Sequence, residues 1–337
     1  MSNLRVAVIG AGYWGPNLVR NFNACPDTDL IAICDLDTAR AAKIGCGYPG
    51  VTITDDLDGL LAGGTIDAVA IATPVATHFP IATKALEAGK HVLLEKPLAR
   101  TVAEGEALVK MAAERGLSLM CDHTFCYSGP VRKIHEIVSA GELGKILYFD
   151  SVRVNLGLFQ SDVNVLWDLA PHDLSIIDHI LPQGLNPIAV SAQGLDAMNT
   201  GYESIAYLTM FFEENLICHV HANWLSPVKV RDILVGGTKK MIFWDDNNPA
   251  ERIKVFNKGV EVQEADRDQI LVNYRHGAGE IPVIEPAEAL ALVAKEFAAS
   301  VREKRPALTD GEAGLRVLRI LEAADVSLRE NGRRVDI

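Results

Sequence analysis

Between residues 5 and 123 the chain alternates short apolar runs with amphipathic stretches, and no other feature limits its fold so tightly. The runs RVAVI, LIAICD, DAVAIAT, HVLLEK and LSLMCD are separated by segments with helical spacing at 16–24, 38–44, 76–88 and 101–115. A β-prone run, a helix and a second run make a βαβ unit, whose right-handed crossover lays helices on both faces of a parallel sheet. Residues 1–122 are therefore read as an α/β domain with a doubly wound parallel sheet.

From about residue 145 the pattern changes to longer strand-like segments: ILYFDSVRVNL, ESIAYLTMFF, LICHVHANWL, VKVRDILVGG and KKMIFWD. EEN at 213–215 reads as a polar turn joining two of them, which predicts antiparallel pairing. Helices are expected at about 130–140, 170–180, 287–303 and 311–330. In the last two, Leu290, Val293, Phe297, Val301, Leu315, Leu318 and Leu321 recur at helical spacing, so they are expected to pack rather than trail. Residues 123–337 are read as an α+β domain with a largely antiparallel open sheet, serving substrate binding and oligomerisation. An open sheet face is a common route to self-association, so a homo-oligomer, dimer or tetramer, is expected.

With 337 residues and 49% apolar content the chain can bury a sizeable core. Its net charge of -12 argues against a nucleic-acid partner, because nucleic acids are gripped by clustered Lys and Arg. No apolar stretch approaches the roughly 20 residues that cross a bilayer. The beginning MSNLRVAVIG resembles neither a signal nor a transit peptide, so a cytoplasmic location is expected. Cys25, Cys34, Cys46, Cys121, Cys126 and Cys218 form no CxxC pair and read as reduced thiols, most of them buried. His219 and His221 share one strand face without a third ligand at a convincing spacing, and no metal site is expected.

Three constellations carry chemistry. Gly10-Ala11-Gly12-Tyr13-Trp14-Gly15 follows the first strand and opens a helix, the arrangement of a Rossmann dinucleotide fold. In it Gly10 permits a tight turn, Gly12 admits a pyrophosphate to the backbone, and Gly15 lets the helix pack closely. Asp35 lies 20 residues beyond Gly15, at the end of the next strand. A carboxylate there accepts the ribose hydroxyls and repels a 2'-phosphate, so the cofactor is expected to be NAD. Arg40 on the following helix could reach a phosphate, although a solvated helix residue is the plainer reading.

Glu95-Lys96-Pro97 ends the strand HVLLE, where ligands of doubly wound sheets sit, and Pro97 restricts the backbone of Lys96. Asp168 and His172, four residues apart in WDLAPHD, share one helix face, so Asp168 could orient the imidazole. The plainer alternatives are a surface lysine and a capping aspartate beside a core histidine.

Taken together, the glycine loop, ATPVATHFPIATKALEAGKHVLLEKPLA at 72–99 and the Asp-x-x-x-His at 168–172 resemble the Gfo/Idh/MocA oxidoreductases over essentially the whole chain. The resemblance implies that Lys96 and His172 form an acid/base pair with Asp168 as partner. It also implies that Thr73, Pro74 and His78 lie along the cofactor near the nicotinamide ribose. Tyr13, Trp14 and Glu95 join the expected cofactor-binding set. The implied reaction is hydride transfer from a sugar or polyol carbon to the nicotinamide while a side chain removes the hydroxyl proton.

The segment 151–167, with GYWGPNLVRNF and DLAPHDLSIIDHIL, is similar to the branch of nucleotide-sugar 3-dehydrogenases acting on UDP-N-acetylglucosamine or its uronate. By that resemblance the small-molecule substrate is an activated amino sugar, with Arg153, Asn155, Asn164, Trp167 and His172 as its contacts. The family motif often has paired glycines where this chain has Val163-Asn164, which shifts the expectation toward a side-chain contact from Asn164. Arg153 and Arg275 could meet a diphosphate, and the surface is the plainer place for both. The alternatives are an inositol or free-sugar dehydrogenase and, in another class, a non-catalytic NAD-sensing protein.

Overall fold

In the computed structural model, residues 2–157, 159–160, 162–263 and 271–337 are described. The chain divides into two compact units, residues 1–128 with 287–319 and residues 129–286 with 320–337. This is not the single cut at 122–123 expected from sequence. The last two helical stretches follow the strand-rich segment in the chain, yet helix 289–303 and the start of the next pack with the first unit.

The first unit carries β1 (Leu4–Ile9), α1 (Gly15–Ala24), β2 (Thr28–Cys34), α2 (Thr38–Gly45), β3 (Thr52–Thr54), α3 (Leu57–Ala62), β4 (Ala68–Ile71), α4 (His78–Glu87), β5 (His91–Glu95), α5 (Val102–Arg115) and β6 (Leu119–Asp122). All six strands are parallel, in the order β3-β2-β1-β4-β5-β6. Every residue of β4 and β6 is buried, which is why these strands read as continuous apolar runs rather than alternating ones. Asp37, Asp56 and Thr101 cap α2, α3 and α5 by accepting from backbone amides, and Gly116 ends α5 in the left-handed region.

The second unit begins with α6 (Gly129–Ser139), β7 (Ile146–Leu156), α7 (Val165–Ile180), β8 (Ala189–Leu195), β9 (Ile205–Phe211) and β10 (Ile217–Asn223). It continues with β11 (Leu225–Gly237), β12 (Met241–Asp245), β13 (Ile253–Gln263) and β14 (Leu271–Glu280). Then α8 (Ala289–Glu303) and the first residues of α9 (Gly311–Arg329) return to the first unit, and β15 (Val335–Asp336) closes the second. Phe297 of α8 meets Phe22 of α1 edge-on at 6.3 Å, and the backbone of Thr309 and Asp310 bonds to Cys121 and Met120 along β6. Apolar burial and edge pairing thus explain why this late segment belongs with the first sheet.

The nine-stranded sheet runs β14-β13-β12-β11-β7-β10-β9-β8-β15, and every pairing except β7 with β10 is antiparallel. Glu213–Asn215 is the expected turn between β9 and β10. Helix α7 starts at Val165, earlier than the expected 170, because Asn164 caps it by accepting from the amides of Leu166 and Trp167. The helix tolerates Pro171 in its interior. No helix among the described residues is long and apolar enough to cross a membrane.

Candidate active site

Order 3-2-1-4-5-6 reverses between β1 and β4, and in such sheets ligands lie outside the carboxyl ends of the strands at that point. The glycine loop leaves β1 there and Thr73 follows β4 there. Gly10 has φ +96°, and a Cβ on it would come within 2.8 Å of the Ala72 carbonyl oxygen. A Cβ on Gly15 would lie 2.1 Å from the Gly10 carbonyl oxygen, whereas one on Gly12 would meet nothing within 4 Å. Two glycines are thus required by packing, and the third leaves backbone open to an incoming pyrophosphate. This cradle fits a dinucleotide.

Asp35 sits beside the loop with its side chain 8% exposed. Its Oδ2 accepts from the Ala11 amide at 2.5 Å, and its Oδ1 accepts from the Asp37 amide and from Arg40, each at 2.8 Å. Burial works to raise this carboxyl, but the Ala11, Arg40 and Asp37 donors outweigh it and hold it below the usual carboxylate range. An ionised carboxylate offers about four lone-pair positions. Three are occupied, so a ribose hydroxyl can take the fourth or displace the half-exposed Arg40. Tyr13 and Leu36 flank the position, each 93% exposed; Leu36 was not singled out in the sequence, since nothing in its type signals such exposure.

His78 is 1% exposed, with Nδ1 at 2.9 Å from the Pro97 carbonyl oxygen and Nε2 at 2.9 Å from that of Thr73. Burial pushes its pKa down. In place of the direct cofactor contact expected from sequence, the ring ties the loop after β4 to the loop after β5. The Thr77 hydroxyl donates to Thr73 Oγ1 at 2.7 Å and has the Pro74 carbonyl at the same distance. Across this bridge lies Lys96, partly exposed, whose amide donates to Glu95 Oε2 at 3.1 Å and whose bond to Pro97 is cis. Trp14 stands at the start of α1, its ring facing the end of β6.

In the second unit, Asp168 and His172 lie one turn apart on α7, both partly exposed. Asp168 Oδ2 accepts from the indole of Trp224 at 3.0 Å, and Phe159 packs against that indole at 5.4 Å. Pro171 has no N–H for the Trp167 carbonyl, which frees one backbone acceptor on this turn.

The expected substrate contacts have other duties. Asn164 is a buried cap whose Nδ2 donates to Asp325 at 3.0 Å, and Trp167 Nε1 donates to the same carboxylate at 2.9 Å. Arg153 is only 4% exposed and forms a two-bond ion pair with Asp173 at 2.8 and 2.9 Å. These groups hold α7 in place, and the expectation of direct sugar or diphosphate contact from Arg153 and Asn164 gives way to that role. Asn155 remains partly exposed on β7. Arg275 donates to the backbone carbonyls of Thr238 and Lys239, and His219 and His221 stack on Tyr207. Asp325 and Trp224 were missed in the sequence because each lies more than 50 residues from the motif it supports.

Comparison with known proteins agrees with this arrangement. Residues 4–123 match the oxidoreductase family with an NAD-binding Rossmann fold, and residues 131–243 match the GFO/IDH/MocA C-terminal domain. The chain is 29% identical to UDP-N-acetylglucosamine 3-dehydrogenase of Acidithiobacillus ferrooxidans, covering 94% of this chain and 95% of that protein. The solved structure of that dehydrogenase, GnnA, superposes with a TM-score of 0.82 at 26% identity, over 98% of this chain and 99% of the other. GenD2 from gentamicin A biosynthesis, in complex with NAD, has a TM-score of 0.84 at 25% identity, over 100% and 97%. With both domains matched in order, the chain belongs to the Gfo/Idh/MocA family of NAD-binding oxidoreductases.

Proposed function

We propose that this oxidoreductase removes hydride from a ring hydroxyl carbon of a nucleotide-activated amino sugar, C3 of a UDP-N-acetylhexosamine or its uronate, to give a keto sugar. The observation that carries the reading is the near full-length similarity to a UDP-N-acetylglucosamine 3-dehydrogenase. Bound NAD supplies the hydride acceptor. The glycine loop holds the pyrophosphate and Asp35 the adenosine ribose. Lys96 and His172 serve as the acid/base groups that take or return the hydroxyl proton, with Asp168 holding its helix turn through Trp224.

The purified protein is to be mixed with NAD and a panel of UDP- and dTDP-hexoses, with and without 2-oxoglutarate as hydride acceptor, following NADH absorbance and product mass. A keto product from UDP-N-acetylglucosamine or its uronate is expected. Turnover of myo-inositol or glucose with no activated sugar consumed overturns the assignment. Lys96→Ala is expected to keep NAD affinity and lose at least about a hundredfold in kcat, since its task is proton transfer. Full activity in that variant removes the assigned mechanism.

A further inference from the structure

Glu95 ends β5 and Asp122 ends β6, and the two are register partners across the parallel ladder. Their carboxyls therefore meet at the ligand-facing edge of the sheet, next to Lys96. Asp122 is 1% exposed. One oxygen of each acid is accounted for: Glu95 Oε2 accepts from the Lys96 amide, and Asp122 Oδ1 accepts from the Thr124 hydroxyl at 2.8 Å. The others, Glu95 Oε1 and Asp122 Oδ2, are both shielded from solvent and receive no donor among the described residues. The Trp14 indole is turned toward Asp122 without reaching hydrogen-bond geometry.

Two carboxyls in contact in a shielded site repel when both are ionised. A single proton between them replaces that repulsion with a charge-assisted O–H···O bond and satisfies both oxygens. Burial, then the charge of Asp122 and the contact with it, pushes the Glu95 carboxyl well above the usual range. Burial also raises Asp122, while its contacts with Glu95, Thr124 and Trp14 pull it back.

We propose that Glu95 and Asp122 hold one proton between them at neutral pH and so place a single negative charge, rather than two, beside Lys96 as positioning residues for its amine. The titratable groups around the pair are Lys96, Cys121, Cys126 and Tyr127, with His123 next in the chain. Burial, with the pair's charge, raises the Cys121 thiol well above its ordinary range, and burial likewise raises the Tyr127 phenol, so neither adds negative charge.

Infrared difference spectra of the full-length protein at neutral pH, without cofactor or substrate, test the shared proton. The carbonyl band of a protonated carboxylic acid is expected in the native protein and absent from both Glu95→Gln and Asp122→Asn, since each amide can donate to the remaining carboxylate. Circular dichroism checks that both variants fold. A native spectrum without the band, or a band that outlasts either substitution, overturns the proposal.

The effect on Lys96 rests on the dehydrogenase reading and is read from the pH profile of kcat/KM. Each single amide keeps one negative charge, so its limb for Lys96 is expected to move by less than about half a pH unit. The double replacement removes the charge, and the limb is expected to fall by about one pH unit or more. Equal stepwise shifts in the two single variants mean two charges in the native pair and overturn the positioning role. Failure of every sugar to react leaves the infrared result standing, while a missing band leaves the sugar assignment untouched.

Discussion

Asp35 gathers three donors on one carboxylate, and its proposed contact with the adenosine ribose makes it the residue expected to set cofactor choice. Its place 20 residues past Gly15 was legible in the sequence, because strand length and loop length fix that spacing. The pairing with Arg40 was not, since a helix arginine can point to solvent or back to the strand, and only side-chain geometry decides. Asp35→Ala removes the ribose acceptor and releases Arg40, which can then meet a 2'-phosphate. The NAD KM is expected to rise about tenfold or more, the loss of a hydrogen bond to a charged group, while the preference against NADP relaxes. Steady-state kinetics with both cofactors check this, and an unchanged ratio would count against the ribose role.

Helix α7 is held at its start by a set of buried polar contacts that the motif residues alone do not reveal. Asn164 caps it, Asp325 receives Asn164 and Trp167, and Arg153 pairs with Asp173, both side chains at most 5% exposed. Sequence reading placed these polar types near the substrate because their distant partners could not be seen. Arg153→Met strands the Asp173 carboxylate in the interior and is expected to cost about 3–5 kcal/mol in denaturant unfolding. Arg153→Met with Asp173→Leu should restore most of that loss, and failure to do so would mean the pair's geometry is needed rather than its charge balance.

The far end of α7 carries a pH effect. His179 stacks on His135 of α6 at 4.2 Å, and burial, then the His135 charge, pushes its pKa down from 6.5 to about 4. The ring is neutral when folded and takes up a proton more readily when unfolded. Its contribution is therefore complete above pH 6.5 and lost as pH falls toward about 4. Thermal melts across this window are expected to show a smaller acid loss in His179→Phe than in the native protein.

At the scale of the molecule, one face of the nine-stranded sheet is open and carries Asp150, Asp232 and Asp245 among its apolar side chains. Tyr207 and Leu234 are 45% and 39% exposed there, with Tyr148, Val152, His221 and Phe243 partly exposed on neighbouring strands. A homo-oligomer joined through this face is the expected state, and light scattering after size exclusion gives its mass. Tyr207→Asp with Leu234→Asp should shift that mass toward a single chain, because each carboxylate would have to be buried unpaired. A mass unchanged by the double substitution would place any association elsewhere.

The sequence by itself determined the doubly wound sheet, the largely antiparallel second sheet and the place of the glycine loop after β1, because these follow from local periodicity and turn chemistry, whereas Lys96 and His172 stood out only through the family resemblance. Tertiary structure alone decided that α8 joins the first unit, that Asn164 and Arg153 brace α7, and that Glu95 meets Asp122. Each of those depends on residues far apart in the chain, whose pairing is set by packing and burial rather than by any short-range pattern.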